Sequence, residues 1–154
     1  MDSLFDPRQV RRAFSRAAGG YDAAAALQAE VRTRLLQSLD YLDDRVPSVV
    51  LDLGAGTGHA AAAMKKRWPK AQVIAMDLAL PMLHQARRQA GWWKPFSRVC
   101  ADARALPLAE GSVDVIFSNL CLQWVADLPA VFAGFRRVLR PDGLLLCSSF
   151  GPET

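Results

Sequence analysis

The sequence predicts an α/β fold with a doubly wound, mainly parallel sheet. Three observations lead there. Short apolar runs alternate with helical segments of ten or so residues, the pattern of successive βαβ units. The runs are apolar nearly throughout, as expected of strands covered on both faces. Acids and glycines gather at their carboxyl ends, the edge where such sheets bind ligands. With 154 residues, 51% hydrophobic and 22% charged, the chain has the size and composition of one globular domain.

The elements follow in order. Residues 8–18 read as a short helix stopped by Gly19-Gly20. Arg8, Arg11, Arg12 and Arg16 share one face of it, and Val10, Phe14, Ala17 and Ala18 the other. A second helix is expected from about 23 to 42, with Leu27, Val31, Leu35, Leu39 and Leu42 on one side. "SVVLDL" (48–53) is a buried strand, followed by a helix over 58–68 that ends at Pro69. "QVIAMD" (72–77) is a strand and 80–90 a helix. "SRVCAD" (97–102) and "VDVIFSN" (113–119) are strands, and 127–139 is a helix. After a Pro-Asp-Gly turn, "DGLLLCSSF" (142–150) is the fifth strand. We read 1–154 as one domain, with N-terminal helices over 1–45 and a Rossmann-like core over 46–154.

Composition narrows the function classes. A net charge of +4 does not argue for nucleic acid; the arginine face at the start offers a landing strip for an acidic partner, or is simply solvated. "MDSLFDPRQVRR" lacks the apolar core of a secretory signal, and no run nears the roughly 18 apolar residues of a membrane span. Cys100, Cys121 and Cys147 lie in or beside apolar stretches without C-x-x-C spacing, so buried reduced thiols and a cytoplasmic location are expected. Two histidines in no ligand-spaced cluster predict no metal site.

The chemistry concentrates in "LDLGAGTGHA". Gly54, Gly56 and Gly58 are spaced G-x-G-x-G, whereas a dinucleotide fingerprint is G-x-G-x-x-G. The third glycine therefore comes one residue early. Asp77 lies 19 residues past Gly58, at the end of the second strand, where an acid accepts from both hydroxyls of a ribose. Asp102 closes the third strand; a carboxylate there can accept from an adenine amine while the Ala103 N–H donates to a ring nitrogen. With Asp52, three acids fall in sequence at the ligand edge.

In that order, "VLDLGAGTG", "AMDLALPML", "ADARALPL", "SNLCLQW" and "RRVLRPDGLLL" resemble the motifs of class I S-adenosylmethionine-dependent methyltransferases across residues 48–150. The resemblance implies a cofactor site of Asp52, Gly54, Ala55, Gly56, Gly58, Asp77, Leu78, Met82, Asp102, Ala103 and Asn119. "VRRAFSRAAGGYDAAAALQ" with "SNLCLQW" is similar to one branch, the malonyl-acyl-carrier-protein O-methyltransferases of biotin synthesis. That branch implies an acidic carrier protein as partner and transfer of a methyl group to a malonyl carboxylate. The acceptor is already ionised at neutral pH, so no general base is needed and no catalytic residue is assigned. Tyr21 is the candidate for positioning; Gln28 and Gln123 are substrate or lid candidates, and Trp124 reads as core. The family implies seven strands closed by an antiparallel hairpin. Five are counted here, so the sequence reads as an N-terminal portion whose fifth strand becomes an edge able to recruit a second copy. A methyltransferase of a small acid or quinone precursor, a cofactor-binding module without activity and, more remotely, an NAD-dependent dehydrogenase remain alternatives.

Overall fold

The computed structural model describes residues 21–41, 45–91 and 95–150. The expected first helix with its arginine face, Leu42, and Trp92 and Trp93 lie outside these residues. The elements are α1 (Tyr21–Gln37), β1 (Val49–Leu53), α2 (His59–Arg67), β2 (Gln72–Asp77), α3 (Leu80–Ala90), β3 (Ser97–Cys100), β4 (Val113–Asn119), α4 (Leu128–Val138) and β5 (Leu139–Ser148). The five strands form one parallel sheet in the order β3-β2-β1-β4-β5. The chain runs outward from β1 to β3, then returns to pair β4 with β1. That reversal between β1 and β4 is the switch point, where a crevice opens at the carboxyl ends.

Alternation along the strands builds two cores. Val50, Val73, Ala75, Val115 and Phe117 face Ala60, Ala61 and Met64 of α2, Ala86 of α3 and Leu39. Leu51, Leu53, Ile74, Met76 and Ile116 face Val131, Phe135 and Val138 of α4, with Leu106 and Leu122. Val50, Leu51, Ile116 and Phe117 are fully buried. Each such side chain contributes about 1.5–3 kcal/mol of burial, so a one-residue slip of β1 or β4 is heavily disfavoured.

The structure revises several boundaries. The second helix stops at Gln37, and Ser38–Tyr41 tighten into a 3-10 turn that seats Leu39 in the core. Leu27 is not on its packed side but 49% exposed. β3 ends at Cys100, leaving Asp102 in the following loop. β5 begins at Leu139, ahead of the expected turn, because Val113 pairs with Leu139 and Val115 with Leu144. Pro141-Asp142-Gly143 is an irregularity within the strand, and a Cβ on Gly143 would lie 2.9 Å from the Arg140 carbonyl oxygen. Among the cysteines only Cys121 is partly buried; Cys100 and Cys147 are exposed, contrary to the expected burial. Trp124 is 67% exposed rather than core. Among the described residues no helix is long and apolar enough to cross a membrane, and no group of three or more ligating side chains could hold a metal.

Candidate active site

The loop after β1 is shaped by its glycines. Gly54, Gly56 and Gly58 have φ of 72°, 55° and 85°, a region that L side chains rarely adopt. Gly54 and Gly58 are also needed for space. A Cβ on Gly54 would lie 2.6 Å from Cys121 Cβ, and one on Gly58 2.9 Å from Ala86 Cβ. At Gly56 the nearest atom is Met82 Cε at 3.7 Å, so this glycine serves conformation and leaves its surface open.

Asp77 holds the loop in place. Its Oδ2 accepts from the Gly56 N–H at 2.9 Å and its Oδ1 from the Ala79 N–H at 2.8 Å. The Gly54 and Ala55 N–H groups donate to the Met76 carbonyl at 2.8 and 3.0 Å. A carboxylate oxygen has two acceptor sites, so each Asp77 oxygen retains one for a ligand hydroxyl. Leu78, 70% exposed, and Met82, beside Gly56, form an apolar flank next to it.

Asp52 occupies a different environment. It is 1% exposed on β1, and its Oδ2 is buried without a hydrogen-bond partner. Burial pushes its carboxyl up to about 7; the Ala61 N–H opposes this, Asp77 adds to it and Arg32 opposes it. Arg32 lies on α1, one turn beyond Gln28. It is half-buried and forms no ion pair or hydrogen bond among the described residues, whereas Arg34 is taken by Glu30 at 2.8 Å. Arg32 was not singled out by sequence reasoning; the only signal was its i+4 spacing from Gln28 on a helix preceding the glycine loop.

At the switch point, Ser118 Oγ donates to the Leu53 carbonyl at 3.1 Å, satisfying a strand end just beyond the last β1–β4 pair, Asp52 with Phe117. Next to it, Asn119 Nδ2 donates to the Gln28 carbonyl at 3.3 Å, and Asn119 Oδ1 accepts from Ser148 Oγ at 2.7 Å. Asn119 thus ties α1, β4 and β5 together. The Gln28 side chain is exposed. Leu120 follows at φ 51°, a conformation costing about 1–2 kcal/mol for a side chain. It is held by N–H bonds to Ser148 Oγ at 3.0 Å and Ser148 O at 3.1 Å. Gln123 donates to the Leu120 carbonyl at 2.7 Å, and its Oε1 is buried without a partner. Tyr21 opens α1, but its side chain lies outside the described residues.

Asp102 stands at the far side of the crevice. Arg104 grips it through Nη2 at 2.7 Å and Nε at 3.1 and 3.2 Å, and the Arg104 N–H donates to Oδ1 at 2.8 Å. Those bonds pull its carboxyl down to about 2. The Ala103 N–H has no acceptor among the described residues. The structure therefore gathers the glycine loop, Asp52, Asp77, Leu78, Met82 and Asn119 about one crevice, with Asp102 and Ala103 beyond β3. It holds acceptors for hydroxyls and amines, backbone donors and one unpaired guanidinium. Asp52 is sealed, and the two more exposed carboxylates, Asp77 and Asp102, already accept from backbone N–H groups and, for Asp102, from the Arg104 guanidinium.

Comparison with known proteins agrees with this fold. A family model described as a methyltransferase domain matches residues 51–147. A malonyl-acyl-carrier-protein O-methyltransferase of Xylella fastidiosa (strain M23) is 67% identical over 154 residues, all of this chain and 52% of that protein. One of the same name from Methylovorus sp. (strain MP688) is 49% identical, over 98% of this chain and 53% of that protein. The chain spans about half the length of these curated relatives. Among solved structures, phosphoethanolamine N-methyltransferase 1 of Haemonchus contortus superposes with TM-score 0.70 at 25% identity, over 82% of this chain and 26% of that one. That structure holds phosphoethanolamine and S-adenosylhomocysteine. By sequence match and by the fold around its glycine loop, the chain belongs to the methyltransferase domain family.

Proposed function

We propose that this chain is the cofactor-binding part of an S-adenosylmethionine-dependent O-methyltransferase that esterifies the free carboxylate of malonyl-acyl-carrier protein. The observation that carries the reading is the Asp77-cinched glycine loop beside the buried, half-unpartnered Asp52. The relatives' names supply the acceptor. The donor set fits the cofactor: Asp77 retains acceptor sites for two ribose hydroxyls, and Leu78 and Met82 offer an apolar flank to a base. Arg32 offers a charge suited to the carboxylate of an amino acid, and an ammonium beside Asp52 would draw its carboxyl, raised to about 7 by burial, into the ionised form.

Bound there, S-adenosylmethionine supplies an activated methyl group on a sulfonium. The residues of this chain then have three tasks. Asp77 and the loop fix the ribose end. Asn119, braced by α1 and β5, holds the rim of the crevice where an acceptor would enter. Trp124, exposed next to Gln123, is the ring we assign to shielding an entering acceptor from water. An ionised carboxylate acceptor needs no proton removed, so alignment and desolvation are the whole of the protein's contribution. Well-oriented reactants gain roughly 7–11 kcal/mol of barrier.

The test is transfer of labelled methyl from S-adenosylmethionine to malonyl-carrier protein, run with this chain and with a form of the relatives' full length. The expected result is label on the malonyl carboxyl as an alkali-labile ester, with the longer form more active. Label on a small free acid or a quinone precursor, and none on the carrier, would move the acceptor elsewhere. No transfer by the longer form would refute the reading.

A further inference from the structure

A cleft of about 530 Å³ opens between α2 and α3, lined by Thr57, His59, His84, Gln85, Arg88 and Gln89. These are the protein's only two histidines. They sit far apart in sequence, yet the packing of Gly58 against Ala86 and Phe96 draws their helices together. Every lining side chain is polar and none is acidic. Among the described residues, none of the six side chains forms a hydrogen bond or ion pair with the protein. Four surface arginines are paired, Arg34 with Glu30, Arg67 with Asp40, Arg104 with Asp102 and Arg140 with Asp114, whereas Arg88, like Arg87 and Arg136, has no side-chain partner among the described residues. A concave surface presenting a guanidinium, two imidazoles, a hydroxyl and two amides suits an oxyanion with several acceptor oxygens.

We infer that this cleft binds a phosphate group, held by Arg88, His84 and His59 with Thr57 at its edge. Arg88 supplies a fork that matches two phosphate oxygens, and His84 lies one helical turn before it on α3, on the same face. Thr57 belongs to the glycine loop, so the occupied cleft adjoins the crevice without sharing its ligands. The phosphate has two possible sources. One is the phosphodiester of a carrier protein's pantetheine arm, and that source rests on the proposed function. The other is a free phosphate or phosphate ester, which does not.

Because both histidines line the cleft, their imidazole proton resonances report on it directly. The experiment titrates the chain, at constant pH and ionic strength, with inorganic phosphate, phosphopantetheine and pantetheine, using chloride as the control. The expected result is a saturable movement of both histidine signals with the two phosphate-bearing probes and none with pantetheine. Phosphopantetheine binding at least about tenfold tighter than inorganic phosphate identifies the carrier arm; equal affinities identify a free phosphate. Arg88→Ala should weaken the phosphate titration by about tenfold or more, the loss expected for a charged hydrogen bond. Arg136→Ala, on the exposed surface of α4, should leave it unchanged. Histidine signals that follow phosphate no further than they follow chloride would overturn the inference. The readout involves no S-adenosyl ligand, so failure of the cleft and failure of the methyltransferase reading are separable.

Discussion

Two carboxylates of the crevice have opposite situations, and each makes a prediction. Asp77 is partly exposed and accepts two backbone N–H bonds. Asp77→Ala removes both the loop's tether and the expected ribose acceptor. Affinity for S-adenosylhomocysteine should fall by about tenfold or more, since a hydrogen bond to a charged group contributes about 1.5–3 kcal/mol. Calorimetry checks it, and a variant that titrates like the parent would remove Asp77 from the site. Asp52 is buried, and its folded pKa is raised to about 7 from an ordinary 3.8. The folded chain therefore holds this proton more tightly than the unfolded one. Between about pH 4 and 7 unfolding releases it, so the contribution of Asp52 to stability falls as pH rises through that window. His59, whose pKa is lowered by burial and by Arg32, works in the opposite sense below about pH 6.5. Comparison with Asp52→Asn isolates the carboxyl: relative to the variant, the parent's melting temperature should fall as pH rises across this window. Equal slopes would mean that Asp52 is ionised in the folded chain. A ligand ammonium beside Asp52 should lower its pKa and bring the parent's slope toward the variant's.

The glycine loop is the element that converts strand register into a site. Gly54 and Gly56 share a positive φ but differ in space. Gly54→Ala adds a collision with Cys121 to the backbone strain, whereas Gly56→Ala meets only strain of about 1–2 kcal/mol. Thermal melts should show Gly54→Ala as clearly the more destabilising, while Gly56→Ala should chiefly weaken cofactor binding. Equal destabilisation would mean that the Cys121 contact is not limiting. The alternation of β1, β2 and β4 was legible in the sequence because both faces of these strands are covered, and so were the loop and the strand-end acids. The helix end at Gln37 was not: the chain must turn to place Leu39 in the core, a tertiary demand absent from local periodicity. The start of β5 was hidden by Pro141-Asp142-Gly143, which reads as a turn but is absorbed as a strand irregularity. Trp124 misled because a large aromatic in an apolar stretch usually packs inside. The Asp102–Arg104 grip is a product of loop geometry, and Cys100 and Cys147 are exposed on β3 and β5, the outer strands of the described sheet; sequence spacing encodes neither.

At the scale of the whole molecule, the sheet order leaves β3 and β5 at its edges among the described residues. β5 carries Leu144, Leu145 and Leu146, all only half-buried. An apolar edge strand with free N–H and C=O groups tends to recruit another chain. We expect the 154-residue chain to self-associate, most simply as a two-fold dimer. Sedimentation velocity across a range of concentrations checks this; a strictly monomeric chain with a cooperative melt would show that β5 tolerates exposure. The central claim is that the crevice at the β1–β4 switch point is a site for S-adenosylmethionine and not for a dinucleotide. The most direct measurement is calorimetric titration of the chain with S-adenosylhomocysteine and, separately, with NAD. The account predicts saturable one-to-one binding of S-adenosylhomocysteine and no measurable heat with NAD. Saturable binding of NAD, with none of S-adenosylhomocysteine, would contradict it.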